Sequence, residues 1–319
     1  MTIISLLRRR SWLKAFVFAT LAATAAGVAD AQPTARCDRA CLTGLVDAYF
    51  AALIANDAKK LPQAGRARIT ENGSEKPLAA TFWDGAAETL YRFDAVNVRR
   101  GDTGTQTVIR NADGTKTMHV VRLKVQNGAI TEIETIRANQ GEADRLWDPD
   151  RILKEPPTNF QLSIREAERD SYYDLIGAAE SYWRAFQTNG TPSYHRARLQ
   201  PDSRRFENGL QTTGLVRDGV FNDTSKGFDE GRFIGRNIWD RRYPVVDEER
   251  GVVLSIVRFG LKGGAKSQSV ATGNDRLVAE FFAVRHGYIQ EIQAVLFNLP
   301  DEKATGWPSA YGPERGATE

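Results

Sequence analysis

The chain repeats itself. The string Glu-Asn-Gly at 71–73 returns at 207–209, each time inside longer runs that also return. Ala48-Tyr49-Phe50-Ala51-Ala52-Leu53 is matched by Ser181-Tyr182-Trp183-Arg184-Ala185-Phe186, and residues 124–139 by residues 283–298. Across the second pair Val125/Val284, Gly128/Gly287, Ile130/Ile289, Glu132/Glu291, Ile133/Ile292 and Asn139/Asn298 are identical. The order of elements is kept, so one domain occurs twice in tandem, with a period too long for a solenoid. Glu71 and Glu207 are 136 positions apart but Glu132 and Glu291 are 159 apart, which places about 23 extra residues in the second copy, at 211–231. That stretch is rich in Gly, Asn, Asp, Thr and Ser and reads as an elaborated loop, and long loops are more often functional than decorative. A duplicated domain is either a built-in dimer or one working copy beside one structural copy.

The first 31 residues read as an export signal rather than as fold. Arg8-Arg9-Arg10 is a basic start, residues 12–26 are a short apolar run, and Ala29-Asp30-Ala31 is a small-x-small cleavage site. Arg9-Arg10-Ser11-Trp12-Leu13-Lys14 resembles the twin-arginine signal, and an ordinary secretory signal is the alternative. Either way the expected location is periplasmic or secreted, with no membrane span in the mature chain, because the apolar run falls short of the ~20 residues a span needs. Removing this segment removes Arg8, Arg9, Arg10, Lys14 and Asp30 and takes the formal charge from +3 to neutral. With no clustered basic face, nucleic acid is not an expected partner. Cys37 and Cys41 stand one helical turn apart, spaced as a local disulfide staple or, less in keeping with redox patterns, as a reactive dithiol. His119, His195 and His286 have no ligand spacing, so no metal is expected, and no nucleotide or cofactor motif occurs.

Residues 37–57 carry apolar side chains at Leu42, Leu45, Val46, Tyr49, Phe50, Leu53 and Ile54, the period of an amphipathic helix. Strand-like runs at 89–98, 106–111, 116–125 and 129–138 are separated by short Gly-containing turns, which predicts an antiparallel meander. Residues 141–162, with Pro149 and Pro156-Pro157, read as a linker, and Ser163-Ile164-Arg165-Glu166 as a capping box that starts the second long helix. The domains are therefore expected at 32–140 and 163–300, with a tail at 301–319 in which Trp307 and Tyr311 pack back on the body.

The helix, Glu-Asn-Gly, Trp order and the final Ile-x-Glu-Ile strand resemble the nuclear-transport-factor-2-like superfamily, which includes ketosteroid isomerase, scytalone dehydratase and SnoaL-type cyclases, and more narrowly an exported subgroup of it. The resemblance implies an α+β fold: two tandem cone domains, each with helices on a curved antiparallel sheet, paired as a pseudo-dimer that stays a monomer or assembles further. It also implies a carboxylate at the mouth of the cone just after the first strand, where Glu71 stands. A carboxylate half-buried against apolar walls is a usable general base, and Asn72 could then stabilise an oxyanion; alternatively Glu-Asn-Gly only closes a turn.

His119 shares a strand face with Val121, Leu123 and Val125, hence core or cavity, while Met118, Val120, Arg122 and Lys124 face the other way. Its match in the second copy is Val278, so it is either a proton-transfer group peculiar to the first copy or a core histidine. Glu280, matching Val121, lies on an apolar strand face and needs a partner such as Arg258 or a cavity. Glu132 and Glu291 read as structural pairing, and Arg122 as an interface residue. Tyr49, Trp83, Trp183 and Trp239, with Glu207 and Glu280, are candidates to line a ligand cavity.

The expected function is a cofactor-independent isomerase or lyase acting on a small apolar or aromatic molecule by general acid–base chemistry. Formaldehyde release from a lignin-derived aromatic is one reaction the resemblance implies. The rival is a non-catalytic exported module that binds a small molecule or a protein.

Overall fold

A computed structural model describes residues 37–142, 146–261, 275–299 and 305–308. The signal-like segment, the Gly263-Gly264 turn and Tyr311 lie outside the described residues.

Helix α1, Arg39–Ile54, is capped by Asp38, whose carboxylate accepts from the Cys41 amide at 2.9 Å, and Cys37 and Cys41 are disulfide-bonded just at this start. It buries Leu42, Val46, Tyr49, Phe50 and Leu53, positions that share one helical face. Strands β1 (Gln63–Glu71), β2 (Ser74–Glu75), β3 (Ala86–Asn97), β4 (Asp102–Asn111), β5 (Lys116–Gln126) and β6 (Ala129–Asn139) form one sheet in the order β2-β1-β6-β5-β4-β3.

The second copy repeats this. After a short linker helix α2 (Pro149–Lys154) come α3 (Tyr172–Thr188), β7 (Leu199–Glu207), β8 (Leu210–Thr213), a small hairpin of β9 (Leu215–Arg217) and β10 (Val220–Asn222), and α4 (Lys226–Asp229). Strands β11 (Arg236–Asp247), β12 (Val252–Leu261), β13 (Arg276–Arg285) and β14 (Tyr288–Asn298) complete a sheet of the order β11-β12-β13-β14-β7-β8. Each copy is thus a helix laid on a six-stranded curved sheet, and the two are tandem cone-shaped α+β domains.

Three details depart from the sequence reading. The four hairpin-linked strands are antiparallel, but β1 joins β6, and β7 joins β14, in parallel. The paired strands are separated in sequence by the whole meander, so no short hairpin turn sets them antiparallel. The second long helix does not start at Ser163-Ile164-Arg165-Glu166, where only a single tight turn at Glu166–Glu168 forms. Its cap is Ser171, whose hydroxyl accepts from the Asp174 amide and donates to the Asp174 carboxylate at 2.6 Å. The segment 211–231 is not a plain loop either, since it holds most of β8, the β9–β10 hairpin and α4.

The outer faces of the two sheets pack on each other. Phe93 of β3 stacks on Phe160 at 4.7 Å and meets Phe281 of β13 edge-on at 4.8 Å, within a core that also takes Met118, Val120, Val245 and Leu254. Gly104 is needed here: a Cβ would stand 2.9 Å from Leu254 Cδ2 and 3.2 Å from Val245 Cγ2. Beside this apolar patch Arg122 donates to Glu134 at 2.9 Å, Asp102 at 3.0 Å and Glu132 at 2.7 Å, and Arg242 of the second copy reaches the same Glu134 at 2.5 Å. Glu291, the match of Glu132, takes Arg204 at 2.7 Å. Trp307 packs back under Arg68, 4.0 Å from its guanidinium, and donates to Thr70 Oγ1 at 2.9 Å. Among the described residues no helix is long and apolar enough to cross a membrane.

Candidate functional site

The two cones are built alike but filled differently. In the first, α1 lowers Tyr49 and Phe50 onto the sheet, where Tyr49 meets Trp83 edge-on at 5.4 Å and Phe50 meets the His119 ring at 6.3 Å. All are buried, so Tyr49 and Trp83 are core here, not cavity walls. Glu71, 2% exposed, is held by Lys76 at 2.8 Å and by Arg137 at 3.2 Å. His119 is fully buried and cross-strand from Arg137; burial first, and the Arg137 charge second, push its pKa down to about 3, so it stays neutral. An opening of about 390 Å³ at this end is lined by Thr117, Arg137 and Asn139 among others, and neither Glu71 nor His119 lines it.

Asn72 takes the turn-closing role that was the alternative to oxyanion stabilisation. At φ 49° it turns the chain, its Nδ2 donates to the Arg137 carbonyl at 3.2 Å, and its Oδ1 accepts from the Arg137 amide at 2.9 Å. Asn208 does the same to Leu296 in the second copy. The side chain mimics a strand partner beyond the end of β1, so its oxygen and one of its amide hydrogens are bound to backbone, as in the turn-closing alternative.

In the second cone the matching interior positions carry other side chains. Val278 replaces His119, Leu296 replaces Arg137, Ala294 replaces Thr135, Glu280 replaces Val121 and Arg205 replaces Ile69. Val278, Ala294 and Leu296 are smaller or shorter than their counterparts, and a cavity of about 200 Å³ lies between α3 and the sheet. Tyr182, Trp183 and Phe186 line it from the helix, Arg205 and Glu207 from β7, Phe259 from β12, Arg276, Val278 and Glu280 from β13. Phe233, just after the inserted segment, closes one wall at 4.5 Å from the Phe186 ring. Trp183 donates to Ser255 at 3.0 Å, which fixes the indole. Trp239 is not among the lining groups; it is covered by the Arg258 guanidinium at 5.0 Å.

Glu280 is 3% exposed, and its pKa is pushed up to about 8. Burial is the largest cause; Arg205 opposes it, Glu207 adds to it, and a hydrogen bond with Tyr182 opposes it. The partner is therefore Arg205 and not Arg258, which is paired with Asp275 at 2.5 Å. Arg205 donates to the Tyr182 hydroxyl at 3.2 Å and lies 3.6 Å from Glu207. Burial works against its charge, but Tyr182, Glu207 and Glu280 outweigh burial and raise its pKa. Burial, with Glu280 second, raises that of Tyr182, so the phenol keeps its proton. Glu280, Tyr182 and Arg205 thus form a chain of hydrogen-bonding groups on the cavity wall. Sequence reasoning singled out Glu207, Glu280 and Trp183 but missed Arg205, Arg236, Arg276 and Phe233. A comparison of the two copies at each charged position would have found Arg205, which stands against Ile69.

Residues 168–296, nearly all of the second domain, match the family described as a domain of unknown function (DUF8021). No curated protein matches the chain. Among solved structures, PrhC from Penicillium brasilianum NBRC 6234 is similar at 10% identity and TM-score 0.25, over 31% of this chain and 82% of that one. A candidate polyketide cyclase from Xanthomonas campestris pv. campestris is similar at 17% identity and TM-score 0.27, over 31% and 90%. An NTF2-like protein of unknown function from Shewanella baltica OS155 is similar at 9% identity and TM-score 0.25, over 32% and 94%.

Proposed function

We propose that this chain is an exported, cofactor-independent isomerase or lyase that moves a proton on a small, largely apolar aromatic molecule held in the second cone. The observation that carries the proposal is Glu280, a buried carboxyl on the wall of a cavity lined by aromatic rings and charged groups, where burial pushes its pKa up to about 8. Ionised Glu280 takes a proton from a carbon beside a carbonyl group. As it does so, the Tyr182 hydroxyl no longer needs to serve the Glu280 carboxylate and is released to the oxyanion that forms. Arg205, donating to the Tyr182 oxygen, makes that hydroxyl a stronger donor. Returning the proton to a different carbon completes an isomerisation. With a β-hydroxy substrate, removal of the hydroxyl proton leads to retro-aldol cleavage, of which formaldehyde loss from a lignin-type aromatic is one case. The first cone is the structural copy, its interior occupied by packed rings and the Glu71 ion pairs.

Deuterium exchange tests this. A panel of single-ring aryl ketones is incubated with the protein in heavy water, and incorporation at carbon is followed by NMR, with formaldehyde measured for β-hydroxy analogues. Glu280→Gln is expected to remove exchange or cleavage with every responding compound, while Glu71→Gln keeps it in any fraction that remains folded. Turnover that survives Glu280→Gln would reject the proposal.

A further inference from the structure

The connection leading into each sheet's edge strand carries an aromatic ring, and the two copies put that ring to different use. Residues 76–85 join β2 to β3, and residues 214–235 join β8 to β11. Trp83 stands three residues before β3 begins, and Phe233 three residues before β11 begins. Trp83 is buried and meets Tyr49 edge-on at 5.4 Å, inside the core of the first cone. Phe233 packs on Phe186 at 4.5 Å, and Phe186 stands one helical turn beyond Tyr182, the match of Tyr49. The second copy thus sets its ring one turn further along the helix, and the cavity has both Tyr182 and Phe233 on its wall.

The longer connection is built to hold Phe233 there. Thr224 donates to the Ser203 carbonyl at 2.8 Å, and Asp223 accepts from the Ser225 and Lys226 amides at 2.7 and 2.8 Å, which fixes the start of α4. Phe228 of α4 is buried against Phe186 at 4.7 Å and Phe233 at 4.8 Å, and its carbonyl accepts from Asn189 at 2.8 Å. Gly227 supplies the room, since a Cβ there would stand 2.8 Å from Phe233 Cε2. Phe233 itself is half-buried, so its ring stands between the cavity that it lines and the surface.

We infer that Phe233 sets the size of the substrate: the second cone takes a molecule with one aromatic ring, and Phe233 excludes a second. A volume of about 200 Å³ is below the ~300–1,000 Å³ of ordinary ligand sites, and one ring with a short chain fills it. A second ring would have to take the place of Phe233, and the packed wall of Phe186, Phe228 and Phe233 gives way only at the cost of strain. Truncating the Phe233 side chain opens the cavity toward the surface on that side and leaves Glu280, Tyr182 and Arg205 unaltered. The inference rests on reading the second cavity as the reaction site, but its test reads ligand size and does not need turnover.

Binding of 1-phenylpropan-2-one, with one ring, and of 1,2-diphenylethanone, with two, is measured by calorimetry with the full chain at neutral pH. The unaltered chain is expected to bind the one-ring ketone at least about tenfold more tightly. Phe233→Ala should bring the two-ring ketone to the affinity of the one-ring ketone or beyond it, and Phe233→Leu should move it part of the way. Phe221→Ala, at an exposed ring on β10 of the same connection, should change neither affinity. Equal affinity in the unaltered chain, no binding of either ketone, or a one-ring preference that survives both Phe233 substitutions would each overturn the inference. The comparison in the unaltered chain needs no variant, and Phe233→Leu, the smaller change to the wall, keeps the test standing if Phe233→Ala does not fold. A size preference governed by Phe233 without proton exchange would reject the enzyme and keep the wall, whereas exchange at Glu280 with a preference indifferent to Phe233 would reject the wall alone.

Discussion

Burial acts on Glu280 and His119 in opposite directions, and both effects are readable in stability. The folded pKa of Glu280 is raised from 4.5 to about 8, so the stability tied to its proton is present below the unfolded value and is lost as pH rises through about 8. The folded pKa of His119 is lowered from 6.5 to about 3, so its contribution is present above 6.5 and is lost as pH falls toward 3. Glu280→Gln should therefore raise the melting temperature by a few degrees at about pH 9 and leave it unchanged near pH 4.5. His119→Gln should flatten the acid limb of the same curve without altering turnover. With Glu280 as base, kcat/KM should rise through a midpoint near pH 8 and level off above it, and a profile flat from about pH 5 to 9 would speak against that role. A carboxylate at an alternating apolar position was visible as an anomaly in the sequence. The arginine that faces it was not, because Arg204-Arg205 within a strand says nothing about which of the two turns inward.

At the scale of elements, periodicity located the helices and hairpins because each buries one face against one sheet. It did not locate the start of α3, since two serines of similar pattern, Ser163 and Ser171, lie eight residues apart. The one chosen by the fold is followed by Leu175, Ala178, Ala179 and Tyr182 at core spacing. Ser171→Ala should cost about 1 kcal/mol in chemical denaturation, and Ser163→Ala almost nothing. The parallel pairing of β1 with β6 was also hidden. Local turns specify antiparallel neighbours, whereas a parallel neighbour is set by where a long connection returns. The inserted segment was mistaken for loop because its turn residues outnumber its few apolar ones, yet Phe228 and Phe233 anchor it on Phe186 at 4.7 and 4.5 Å.

At the scale of the whole molecule, duplication supplied an interface and released one cavity from the need to be a core. Phe281 on β13 sits in the shared core opposite Phe93, so Phe281→Ala should cost about 3–5 kcal/mol and still give one unfolding transition, because both copies bury that face together. Two separate transitions in calorimetry would show that the copies are independent. The division of labour between the copies is the central claim, and it depends on the ionisation of one group. The most direct measurement is the carboxyl carbon-13 titration of glutamate-labelled protein, with the Glu280 resonance assigned by its absence in Glu280→Gln. A midpoint near 8 is the expected result, and a midpoint in the ordinary glutamate range would contradict it.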